Sequence, residues 1–282
     1  MTALPIHVNN IQFVTGNRKD NLKKYFVFLC IITASINCFA ESAYTLDLKK
    51  DLIVGSASLG LAAVSLFVNH SANNASGSGI PLPKNNVTAF DRSLMYEYNK
   101  TLDIVSDIVL YGLIAMPLVS LVENIRNGNV WATYGVMYAE SFLLTFGTCE
   151  ILKNSITRYR PYCYFGDIPS GKGTDYYKSF PSRHTALAFM SAGFLTSTFF
   201  AEYPDSLWKA PLSIASYSLA AGIGMSRIFS GNHFTSDVLA GAALGSVCGY
   251  LIPWLHLRKK QDNVTFVPLY NGFVLVVSIG AK

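Results

Sequence analysis

Long apolar stretches joined by short polar connections dominate the chain. Six of them, near residues 52–70, 105–123, 130–152, 185–202, 208–225 and 236–257, approach or reach the ~20 residues that a helix needs to cross a hydrocarbon layer. The first contains no Asp, Glu, Lys or Arg, whereas the third carries Glu140 and Glu150, and an ionisable group at membrane depth has to face a packed interior or water. The pattern predicts an all-α fold: a six-helix, membrane-embedded bundle. Ahead of it, residues 18–40 (RKDNLKKYFVFLCIITASINCFA) combine a basic start, a short apolar run and an Ala end. That is the layout of a cleaved secretory signal peptide, or of an uncleaved N-terminal anchor. Three parts follow: residues 1–40 as signal or anchor, 41–257 as the membrane domain, and 258–282 as a basic flank and tail.

The connections carry their own signals. Residues 71–83, SANNASGSGIPLP, are rich in Gly, Ser, Asn and Pro and read as a loop. Residues 162–180 form a second loop of tyrosines, lysines and glycines, expected to rim a site. In the tail, two β-prone runs flank Asn271-Gly272, a dipeptide that favours a tight turn, so a short C-terminal β-hairpin is expected.

Composition sharpens this picture. Of 282 residues, 51% are hydrophobic and only 14% charged, and the deficit of charge is concentrated in the apolar stretches, which points to lipid as the main solvent. The formal charge of +5 is modest, and its basic residues cluster at segment ends and in one loop, which argues against nucleic acid as a partner. Cys30, Cys38, Cys149, Cys163 and Cys248 show neither a CxxC pair nor metal-ligand spacing, and no His-rich run suggests a metal site or a cofactor.

Three polar clusters sit at segment ends. Lys153 and Arg160, seven apart and followed by Pro161, could grip one anion from a shared helix face or simply anchor a helix end. Pro181-Ser182-Arg183-His184 opens the fourth segment, where free backbone N–H groups and a hydroxyl suit an anion, and where Ser182 could equally be an N-cap. Ser226-Arg227, then His233, then Asp237 join the fifth segment to the sixth. On a helix turn, a carboxylate four residues from a histidine can hold one ring nitrogen and leave the other free as a nucleophile.

Taken together and in this order, the clusters resemble the signature of the type 2 phosphatidic acid phosphatase superfamily, which includes bacterial acid phosphatases and vanadium haloperoxidases: K-x6-RP, PSGH and SR-x5-H-x3-D. The match is three, three and four identities with the internal spacings intact, and Arg183 stands where the motif has glycine. The likeness covers roughly residues 100–257. It implies that His233 attacks phosphorus and becomes a phosphohistidine, that Asp237 orients its ring, and that His184 protonates the leaving oxygen. It further implies that Lys153, Arg160, Ser182, Arg183 and Arg227 bind the phosphate, with no metal or cofactor.

With six spans the three clusters share one side of the membrane. Arg258, Lys259 and Lys260 after the last segment favour a cytoplasmic C-terminus and hence a periplasmic site in a bacterial inner membrane, while a cleaved signal before six spans would put the site inside. The resemblance implies a lipid phosphate substrate (phosphatidate, phosphatidylglycerol phosphate, a polyprenyl diphosphate or a lipid A phosphate). Its alternatives are a soluble secreted acid phosphatase of broad specificity and a non-catalytic membrane scaffold. The oligomeric state is left open.

Overall fold

Each of the six apolar segments overlaps a helix of 20 residues or more. The computed structural model describes residues 42–67, 81–119, 128–166, 168–169, 175–258, 263–269 and 272–278. Segment 18–40, most of the 71–83 connection and the flank residues Lys259 and Lys260 lie outside the described residues. Within them the α-helices are α1 (Leu48–Phe67), α2 (Ala89–Arg92), α3 (Lys100–Val119), α4 (Gly128–Ser155), α5 (Arg183–Glu202), α6 (Lys209–Phe229) and α7 (Thr235–His256). Strands β1 (Asn263–Leu269) and β2 (Gly272–Ser278) pair antiparallel, Asn263 opposite Ser278, and Asn271 of the turn lies outside the described residues.

Local chemistry sets the ends that matter for the site. Ser182 caps α5, its hydroxyl accepting the Thr185 N–H at 3.5 Å. At the start of α7, the Asp237 carboxylate folds back to accept the Phe234 N–H at 2.9 Å. Lys153 falls in the last turn of α4, where the carbonyl end of the helix favours a cation. Thr88 opens the short α2, its hydroxyl accepting the Asp91 N–H at 3.4 Å, and no apolar period announced this helix.

Helix α5 is the centre of the bundle, packed against α3, α4, α6 and α7. Its Ala186, Ala188, Met190, Ala192 and Phe194 are almost completely buried, and Phe194 meets the rings of Tyr134 and Tyr138 edge-on. The closest approach is to α7, where Gly241, Gly245 and Gly249 recur every fourth residue along one face. A Cβ on them would stand 2.4 Å from Ser182 O, 2.0 Å from Ala186 O and 2.4 Å from Met190 O. Backbone lies on backbone there because no side chain intervenes. The N-termini of α5 and α7 are thereby locked together, with the Ser182 N–H donating to Asp237 O at 3.0 Å.

The outer faces are apolar. Ile53, Ile108, Ile214 and Trp254, each at least 65% exposed, point away from the core on four different helices. Among the described residues, however, only α7 is long and apolar enough to cross a membrane by length and composition. The expected six spans are therefore not confirmed, and in α6 Ser213, Ser216, Tyr217 and Ser218 interrupt the apolar run.

Candidate active site

The C-terminal end of α4 and the N-terminal end of α5 meet the α6–α7 junction at one end of the bundle, and the N-terminal part of α3 closes that end. His233 lies in the α6–α7 junction and is 1% exposed. Arg160 Nη1 stands 3.1 Å from its Nε2. A guanidinium can only donate, so Nε2 carries the lone pair and the neutral ring is protonated at Nδ1. Burial and the flanking charges of Arg160, Lys153, Arg227 and His184 hold this imidazole well below 6.5. A buried, neutral histidine with its free electron pair turned toward a cation is suited to attack an electrophile that brings negative charge with it.

The partnership with Asp237 differs from the expected one. Asp237 Oδ2 is 3.6 Å from His233 Nδ1, beyond a hydrogen bond, and Nδ1 has no hydrogen-bond partner. The two residues do not share a helix turn, because His233 precedes α7 and Asp237 belongs to its first turn. Asp237 instead accepts from Ser179 Oγ at 2.6 Å, from the Phe234 N–H, and from Arg158 Nη1. Arg158 donates its other nitrogen, Nη2, to Asp91 Oδ2 at 2.6 Å, and Asp91 also receives the Ser236 N–H at 2.9 Å. One guanidinium therefore bridges two buried carboxylates, from α2 and α7, directly beneath the histidine.

The remaining residues expected at the site are gathered here with partners of their own. Arg160 also donates to Asp175 Oδ2 at 2.7 Å and to Asn232 O at 2.9 Å. Lys153 Nζ donates to Lys178 O at 2.7 Å. Arg227 pairs through Nη1 with Asp103 and with Ser106 Oγ, leaving its buried Nε without a partner. His184 Nε2 lies 2.6 Å from Asp107 Oδ1. Ser182 has the N-cap role, its hydroxyl 2.9 Å from Thr185 Oγ1. Arg183 turns its guanidinium outward, onto Glu150 Oε1 at 2.6 Å.

Five residues of this end were not anticipated: Asp91, Asp103, Asp107, Arg158 and Asn232. Asp103 and Asp107 did leave a signal, two acids at helical spacing opening an otherwise apolar segment. Asp91 left none, since its role depends on contacts with residues far along the chain. The end of the 162–180 loop lines the site, where the Arg158 N–H donates to Tyr177 O at 2.9 Å and the Arg160 N–H to Tyr176 O at 2.8 Å; residues 167 and 170–174 lie outside the described residues.

Residues 134–261 match the family model described as PAP2 superfamily. A stretch of 99 residues, 30% of this chain, is 44% identical to lipid A 1-phosphatase of Porphyromonas gingivalis and covers 21% of that protein. Another, 42% of the chain, is 33% identical to the bacitracin transport permease protein BcrC of Bacillus licheniformis and covers 54% of it. The chain thus spans about a fifth and about half of these relatives' lengths. A transmembrane PAP2 type phosphatidylglycerolphosphate phosphatase from Bacillus subtilis aligns over 83% of this chain and 94% of its own, with 20% identity and a TM-score of 0.33.

Proposed function

We propose that the protein, whose residues 134–261 match the family model described as PAP2 superfamily, is a phosphohydrolase that passes a phosphoryl group through His233 and acts on a lipid phosphate at a membrane. The observation that carries this reading is the state of His233: buried, neutral, with its Nε2 lone pair directed at Arg160 in a ring of cations. Such a ring repels a cation and attracts a phosphate, and the phosphate brings the electrophile to the lone pair.

Burial and the neighbouring arginines push the His184 pKa down to about 2, and the negative phosphate beside it, with Asp107, offsets them so that the ring takes up a proton on substrate binding. In the first step His233 Nε2 attacks phosphorus, the ester P–O bond breaks, and protonated His184 gives its proton to the leaving oxygen. In the second, water attacks the phosphohistidine and yields its proton to His184, releasing inorganic phosphate and restoring neutral His233. Arg160, Lys153, the free Nε of Arg227 and the backbone N–H of Arg183 stabilise charge on the equatorial oxygens. Asp107 positions His184, and Asp237 acts on His233 through charge at 3.6 Å instead of through a hydrogen bond.

The apolar outer faces of α1, α3, α6 and α7 support a membrane setting, in which the bilayer presents the substrate. A site on the periplasmic side of a bacterial inner membrane accords with the basic flank after α7. The names of two relatives, the lipid A 1-phosphatase and a probable diacylglycerol pyrophosphate phosphatase of Schizosaccharomyces pombe, favour lipid A phosphates and glycerolipid diphosphates as the first substrates to try. The second reading is a secreted phosphatase of broad specificity. Phosphate release by the detergent-purified protein in EDTA, over lipid phosphates and p-nitrophenyl phosphate, separates the two. Preference for one lipid supports the first; equal or faster turnover of the soluble ester supports the second.

A further inference from the structure

At the opposite end of the bundle, Asp51 of α1, Glu140 of α4 and His256 of α7 converge, one ligand atom of each lying within 4.8 Å of the others. The site is far from the phosphoryl chemistry: 19 residues of α7 separate His256 from Asp237, about 28 Å of helix. The ring of His256 is oriented by its own helix, Nδ1 lying 2.8 Å from Ile252 O. A carbonyl can only accept, so Nδ1 carries a proton. Nε2 then faces Asp51 Oδ1 at 2.9 Å and Glu140 Oε2 at 3.5 Å. For a neutral ring that arrangement turns a lone pair toward two carboxylates, and some cation has to stand among them.

Glu140 is an independent pointer to the same place. It is 4% exposed, and its Oε2 has no hydrogen-bond partner although it is aimed at His256. Burying a carboxylate oxygen unsatisfied is expensive, and an ion or a charged partner is what offsets it. The surroundings hold the group still: a Cβ at Gly55, one turn after Asp51 on α1, would lie 3.3 Å from Glu140 Oε1. His256 O accepts the Thr45 N–H at 3.1 Å, and the Arg258 N–H donates to Ala43 O at 2.9 Å, so the end of α7 is tied down as well.

We propose that Asp51, Glu140 and His256 bind a divalent transition ion of the zinc class. Such ions take both imidazole nitrogen and carboxylate oxygen as ligands, three of which leave a fourth position open, and donation from Nδ1 to a backbone carbonyl is a usual way a ligating histidine is oriented. Ligands about 2.1 Å from a tetrahedral ion lie about 3.4 Å apart. The 3.5 Å separation already meets this, and the 2.9 Å one opens by about half an ångström. Asp51, its side chain 15% exposed, provides the way in. The ion ties α1 and α4 to the end of α7 and takes no part in phosphoryl transfer, so this site stands whether or not the proposed reaction does.

The test uses the full chain in detergent, treated with EDTA, desalted and titrated with Zn²⁺, read by calorimetry and by thermal unfolding. The expected result is one Zn²⁺ per chain and a higher Tm with zinc. Asp51→Asn, at the exposed edge of the site, weakens binding about tenfold or more, and Glu140→Gln abolishes the Tm response. His233→Ala keeps both, which shows that the ion is not in the phosphoryl site. If wild type takes up no zinc, or if Asp51→Asn and Glu140→Gln respond as wild type does, the proposal is overturned and His256 is a doubly protonated partner of two carboxylates.

Discussion

Gly245→Ala adds one methyl group, yet it strikes the contact that sets the geometry of the phosphoryl site. The new Cβ would lie 2.0 Å from Ala186 O, 2.8 Å from Ala186 C and 2.9 Å from Met190 N, all backbone atoms that cannot rotate away. Restoring ordinary contact, which begins at 3.4 Å, requires α5 and α7 to separate by about 1.4 Å at this point. Overpacking of this kind costs ~1–3 kcal/mol, and the better helix propensity of alanine returns no more than ~1 kcal/mol. Ser182 and His184 ride on α5 while Asp237 rides on α7, eight residues or about 12 Å from the new methyl. A displacement near 1 Å between reacting groups costs ~100-fold in rate, so kcat is expected to fall by that order and Tm to drop. Gly222→Ala in α6 is the control, because its Cβ meets nothing within 4 Å and the variant should match or exceed wild type in Tm. Phosphate-release kinetics beside thermal unfolding in detergent read both effects. Wild-type kcat and Tm in Gly245→Ala would refute the backbone contact as the device that aligns the two halves of the site.

Other expectations follow from the same geometry. Arg158→Leu strips the shared cation from buried Asp91 and Asp237, and the loss should approach the ~3–5 kcal/mol typical of breaking a buried pair, measured by denaturant unfolding. The pH dependence of kcat/KM should lack an acid limb near 6.5. Because the His233 pKa is lowered, its neutral, reactive form persists as pH falls through that value and is lost only well below it. A fall centred at 6.5 that survives His256→Asn would contradict this. Arg183→Gly, which restores the motif residue, keeps the backbone N–H and removes the outward pair with Glu150 and the contact over the Phe146 ring, both at the surface, so stability should change by ~1 kcal/mol and kcat should hold. A collapse of kcat would mean that the guanidinium itself works on the phosphoryl group.

The positions of the long helices and of the three clusters were legible because both depend on local signals, apolar run length and residue spacing. The clusters do converge, yet their internal partnerships could not be read. Asp237 was expected to grip His233, and its oxygens are occupied instead by Ser179, the Phe234 N–H and Arg158, two of which belong to the loop before α5 and the end of α4. Asp103 and Asp107 were not anticipated at the site, because only the fold brings Arg227 and His184 to them. Ser182 does cap α5, one of the two roles its position offered. The glycines of α7 repeat every fourth residue, a legible pattern whose meaning lies in the backbone of α5. Apolar run length alone does not distinguish a helix buried in a bundle from one crossing lipid, and among the described residues only α7 is long and apolar enough to span, so the count of six is not confirmed.

The account turns on His233 as the group that carries phosphate. The direct measurement is to quench the purified enzyme during turnover of a labelled phosphate ester, in EDTA, and to map the label by mass spectrometry beside His233→Ala. The account predicts an acid-labile, base-stable phosphoryl group on Nε2 of His233, absent from the variant, which also loses nearly all turnover while keeping its unfolding transition. Label on another residue, or full turnover by His233→Ala, would contradict it.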